Sequence, residues 1–116
     1  MVHKLMQNTT KKGNYRWIIF KKGVEWIGAA LEFNIVQVGD DPNLVYIELQ
    51  EAVRGYIEAA QKIKGFREKT INPMLNQESE GEYELLWNRV QAATQKQGVA
   101  LPLGVFNFGR RNMAFV

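Results

Sequence analysis

The chain has no cysteine, one histidine and one serine among its 116 residues. Without cysteine there are no disulfides, thiolate nucleophiles or thiolate metal ligands. A lone His3 rules out a histidine metal cluster. With Ser79 in an expected loop and His3 in a polar tail, a serine–histidine–acid arrangement is excluded as well. No apolar run approaches the roughly 18 residues of a membrane span, and none at the N-terminus has signal-peptide length. Gly104 and Gly109 do not form a phosphate cradle after a strand, and Lys21-Lys22-Gly23 lacks the Walker spacing. Internal repeats and low-complexity segments are absent too. The expectation is a cytoplasmic protein that is not an enzyme and uses no cofactor.

What is present describes one ordinary globular domain. Apolar residues make up 46% and aromatics 11% of the chain, enough to build a core without staples. The net charge of +3 is unevenly spread. Lys4, Lys11, Lys12, Arg16, Lys21 and Lys22 all precede the first acid, Glu25, and Glu78, Glu80, Glu82 and Glu84 form a later acidic run. Such asymmetry marks either a nucleic-acid contact or a solvated arm and hairpin tip beside an acidic helix start.

Residues 1–13 are polar and aperiodic and read as a flexible basic arm, leaving 14–116 as the domain. Tyr15 to Lys21 has the aromatic and β-branched content of a strand. Lys22-Gly23 closes a tight hairpin, and Val24 to Leu31 returns. Alternation puts Tyr15, Trp17, Ile19, Val24 and Trp26 on one face, with Ile18, Phe20, Ile27, Ala29 and Leu31 on the other. A ribbon apolar on both sides needs cover on both. Phe33 to Val38 makes a third strand. Asp41 then suits a helix N-cap and Pro42 the first helical position. Val45, Leu49, Ala52, Val53, Tyr56 and Ala60 recur at helical spacing, and Gly65 serves as the stop. A second helix is expected from about Glu80 to Gln97, with Tyr83, Leu86, Val90 and Ala93 inward and Trp87 off the main stripe. Val105 to Phe108 reads as a short strand before a turn at Gly109-Arg110-Arg111-Asn112. The fold class is α+β: a small antiparallel sheet in the order βββα, then a second helix and a short C-terminal strand.

The run from Glu25 to Asp40, through Val36-Gln37-Val38-Gly39-Asp40 and on into Gln50-Glu51-Ala52-Val53 and Tyr56-Ile57-Glu58, resembles the HicB antitoxin family. The likeness covers residues 15–60. It implies a partial, degenerate RNase H-like fold of order βββαβ and a role in binding and blocking a small HicA-type ribonuclease toxin. The chain departs from the family at Leu31 to Ile35, where a Pro-Gly pair is usual. Residues 66–116 also show one helix followed by strand-like sequence in place of a terminal DNA-binding element.

A fold of this kind raises the prospect of nuclease activity, which needs several carboxylates around two divalent ions. The first strand has none, and capping explains Asp40 and Asp41 with fewer assumptions. The expected site is therefore a contact surface: Trp17 and Trp26 as recognition aromatics, with Glu48 and Glu51 among acids facing a basic protein, and assembly as a homo-oligomer. Ordinary burial of both tryptophans under the second helix or the last strand is the competing account. The alternative function is nucleic-acid binding through Lys11, Lys12, Arg16, Lys21 and Lys22, with Arg110 and Arg111.

Overall fold

The computed structural model describes Asn8 and residues 13–63, 73–96, 101–102 and 104–113. Its elements run β1 (Asn14–Lys22), β2 (Glu25–Ala30), a 3-10 turn (Leu31–Phe33), β3 (Ile35–Gly39), α1 (Pro42–Gln61), a second 3-10 turn (Pro73–Leu75), α2 (Gly81–Gln95) and β4 (Val105–Asn112). The four strands form one antiparallel sheet in the order β3-β2-β1-β4. This is the expected α+β class, with a second helix standing between the βββα unit and the last strand.

The hairpin turn is Gly23-Val24 rather than Lys22-Gly23, so Lys22 pairs with Glu25 and Ile19 with Gly28. Gly23 holds φ of +66 at the first central position, where a two-residue turn of the II′ kind needs glycine. Moving the turn by one residue shifts the pairing by two, which preserves the side-chain faces. Val24 is the exception: expected on the tryptophan face, it sits in the turn and is exposed. The third strand starts later than expected because Leu31–Phe33 winds a 3-10 turn, closed by Asn34 in the left-handed region at φ of 53.

Each face has its own helix. Tyr15, Ile19, Ala30 and Phe33 meet Val45, Leu49, Val53, Ile57 and Ala60 of α1. Ile18, Phe20, Ile27, Ala29 and Leu31 meet Tyr83, Trp87 and Val90 of α2. The requirement for two-sided cover is thus satisfied from two separate helices. Asp41 caps α1 as expected, its Oδ1 accepting the Asn43 N–H at 2.9 Å, with Pro42 in the first turn. The helix ends at Gln61, and Gly65 lies outside the described residues.

Three sequence expectations need correction. Trp87 is buried, not off the stripe. Four residues beyond Tyr83 at 3.6 residues per turn is a displacement of about 40°, well inside the inward face. The segment Gly109 to Asn112 is not a turn; it continues β4, because Trp17 pairs with Gly109 and Tyr15 with Arg111. Asn8, assigned to a loose arm, is fully buried. Its Nδ2 donates to Leu75 O at 2.7 Å, its Oδ1 accepts from Asn14 N–H at 2.8 Å, and Asn76 Nδ2 donates to its carbonyl at 2.8 Å. That one side chain ties the start of β1 to the second 3-10 turn. The rest of the arm before Gly13, with Lys4, Lys11 and Lys12, lies outside the described residues.

Candidate interaction surface

α1 lies mainly over β2 and β3. Val45 explains the offset. A Cβ on Gly28 would come within 2.8 Å of its Cγ1, and one on Gly39 within 3.0 Å of its Cγ2. The two glycines form a notch on the β2–β3 side, and the valine sits in it. α1 reaches β1 only at its margin, where Tyr15 and Ile19 meet it, and the same face over β4 is left to side-chain cover.

Trp17 and Trp26 both lie on this face, as the alternation predicts, and both are half-buried. Trp17 lies across Gly109 of β4, so close that a Cβ there would meet its ring at 2.4 Å, and its centroid is 5.9 Å from that of Tyr46 on α1. Trp26 meets Phe106 edge-on at 5.8 Å, and Lys21 Nζ stands 5.7 Å above its ring. Phe106 is 44% exposed. Cover for the tryptophans comes from β4 and the flank of α1, while α2 occupies the opposite face. The result is an aromatic strip of two ring pairs, Trp26–Phe106 and Trp17–Tyr46, left half open. Trp17 Nε1 is buried without a hydrogen-bond partner among the described residues.

Along the outer surface of α1, Glu48, Glu51, Arg54 and Glu58 are exposed, as are the apolar Leu44 and Ile47. A cleft of about 380 Å³ lies between α1 and the end of β4, lined in part by Tyr15, Gln50, Gln61, Arg111 and Met113. The Tyr15 hydroxyl and Arg111 Nη1 both donate to Gln50 Oε1. Nε2 of Gln50 and of Gln61 is buried with no partner among the described residues. Burial raises the Tyr15 pKa above its ordinary value, against the opposing pull of Arg111.

Of the basic residues proposed for nucleic acid, the described ones, Arg16, Lys21, Lys22, Arg110 and Arg111, are not gathered into one patch. Arg16 points to the α2 face and is spent there. Its backbone N–H and Nε donate to Glu32 at 2.7 Å each, and Nη1 and Nη2 donate to the two oxygens of Glu84 at 2.9 Å. Its guanidinium is 5.6 Å from the Trp87 centroid, and that of Arg110, its cross-strand neighbour, is 5.9 Å from the same ring. Burial lowers the Arg16 pKa, but the two carboxylates outweigh it and raise the value overall. An Arg16 held this way is an internal strut and is withdrawn from the phosphate-binding set. Lys22 pairs with Glu82 at 3.0 Å on the surface. Lys21 remains exposed beside the aromatic strip.

Sequence reading alone missed Glu32 and Glu84 as partners of Arg16, and Gln50 as the hub of the cleft. The one available signal was Arg16 itself, a charge within an otherwise apolar strand and so in need of a partner. Among the described residues, no group of three His, Cys, Asp or Glu side chains gathers to hold a metal ion, and no helix is long and apolar enough to cross a membrane. Compared with protein-family models, curated proteins and solved structures, the chain finds no match.

Proposed function

We propose that this chain is a non-catalytic protein-interaction module of the HicB kind, binding and blocking a small basic HicA-type ribonuclease toxin in the cytoplasm. The observation that carries this reading is the half-open aromatic strip around Trp17, Trp26 and Phe106 together with the predominantly acidic outer face of α1. Large aromatics at the centre of an interface supply much of its binding energy, and acids at the rim select a basic partner and speed its approach. The βββα order and the resemblance across residues 15–60 support the same reading.

The test begins with a neighbouring reading frame encoding a small basic protein with a lone catalytic histidine. The two proteins are mixed, and binding and residual ribonuclease activity are measured. Trp26→Ala is expected to weaken binding at least tenfold, about 1.4 kcal/mol or more. Glu48→Lys with Glu51→Lys is expected to slow association with the fold intact. If the toxin stays fully active in the presence of excess chain, the reading fails.

One observation favours a second reading. Lys21 over Trp26 beside an exposed Phe106 is also the pattern of a stacking platform for single-stranded nucleic acid. In that case RNA or DNA affinity would fall by roughly one log unit per log of salt for each phosphate neutralised. Absent or salt-insensitive binding removes it.

A further inference from the structure

The two edges of the sheet are built differently. β4 carries the devices that keep a foreign strand away: a register irregularity opposite Ile19 and Phe20, and exposed Arg110 and Arg111. β3 carries none of them. Ile35-Val36-Gln37-Val38-Gly39 has no charge and no proline, and it pairs with β2 in unbroken register. Among the described residues no strand pairs with its outer edge. Val36 is 40% and Val38 49% exposed, and both point to the α2 side, next to their partners Ala29 and Ile27. An uncharged edge with two valines in water invites pairing unless something occupies it.

We infer that a second copy of the chain occupies it, β3 against β3 in antiparallel register about Gln37. The segment is suited to its own reverse. Pairing about Gln37 sets Val36 opposite Val38 of the other copy and Ile35 opposite Gly39, so four valines close into one apolar cluster continuous with Ile27 and Ala29. It also sets Asp40 opposite Asn34, whereas a parallel arrangement in register would oppose Asp40 to Asp40. The two-fold axis makes the interface isologous, and the two sheets join into one of eight strands. The aromatic strip lies on the α1 face, opposite to the valine cluster, although Trp26 itself stands on β2 beside Gly39. The pairing therefore stands or falls independently of the toxin reading.

Light scattering on the full chain is expected to give about twice the 13.3 kDa of one copy. Val38→Lys, a change at a partly exposed site, is expected to return the single-copy mass with the circular-dichroism spectrum unchanged. Because the chain has no cysteine, Gln37→Cys offers one thiol at the axis, which a short thiol-bridging reagent should link into a covalent dimer. Glu58→Cys on the outer face of α1 should stay unlinked. A single-copy mass at every concentration would overturn the inference. So would a dimer that survives Val38→Lys, or a chain that gains a strand at this edge only when a different protein is added.

Discussion

Gly28→Ala tests the seat of α1 on the sheet. The added methyl would stand 2.8 Å from Val45 Cγ1, 2.9 Å from Ile19 Cδ1 and 3.4 Å from Leu49 Cδ2. Comfortable carbon contacts lie near 3.5–4.0 Å, so the Val45 contact is short by about 0.7 Å or more. Ile19 can swing its terminal methyl aside. Val45 cannot, because a β-branched side chain in a helix has one strongly preferred rotamer. The helix must lift or the strand must sink, an overpacking cost of about 1–3 kcal/mol. For a domain of this length that is roughly 4–12 °C in Tm. Urea unfolding followed by circular dichroism measures it directly. Val45→Ala alone should also destabilise, through lost burial and a small cavity. Combined, the two changes should cost less than their sum by about 1–2 kcal/mol, since each removes what the other strains against. Strict additivity would refute the notch, and with it the reason given for the off-centre position of α1.

Other parts of the structure lead to independent measurements. Arg16→Lys should cost about 2–3 kcal/mol in urea titrations, because an ammonium cannot engage Glu32 and both oxygens of Glu84 at once. Asp41→Ala should cost about 1 kcal/mol by removing the acceptor for the Asn43 N–H, and Asp41→Asn should recover most of it. Alkaline pH should destabilise the fold. Burial, the largest cause at each, raises the pKa of Tyr15, Tyr56 and Tyr83 above 10.0. The unfolded chain therefore releases these protons first, and stability, intact below pH 10.0, falls as pH climbs from there through the raised folded-state values. A Tm that stays flat across that range would contradict the burial of the three hydroxyls.

Local signals were legible wherever one residue type does one job. The Asp41-Pro42 start of α1 and the two-faced apolar ribbon belong to this class, because capping chemistry and strand alternation act within a few residues. Of the inward face of α1, Val45, Leu49, Val53 and Ala60 follow from the helical spacing. Ile57 was missed and Tyr56 sits half-buried, since neighbouring helical positions compete for the same angular range. The far end of β4 was illegible because Gly109-Arg110-Arg111-Asn112 has turn composition. Its extended form comes from pairing with β1, where Gly109 is needed to let Trp17 lie flat. The burial of Asn8 depends on segments distant in sequence, which no local pattern reports.

The asymmetry of the sheet follows from where its glycines fall. Gly28 and Gly39 open a notch on the β2–β3 side, and Val45 takes it, drawing α1 toward β3. Had small residues stood instead at Trp17 and Ile19, the helix would have had a place over β1 and the sheet would be evenly roofed. As built, the third glycine that matters, Gly109, lets an indole ring rather than a helix cover β4. An indole shields its strand yet leaves an apolar edge facing water, whereas a helix would have buried that face outright. The packing that stabilises one half of the face thus leaves Trp17 half open on the other. This is why the strip is a better candidate for recognition than the charges around Arg16, which the fold has already paired.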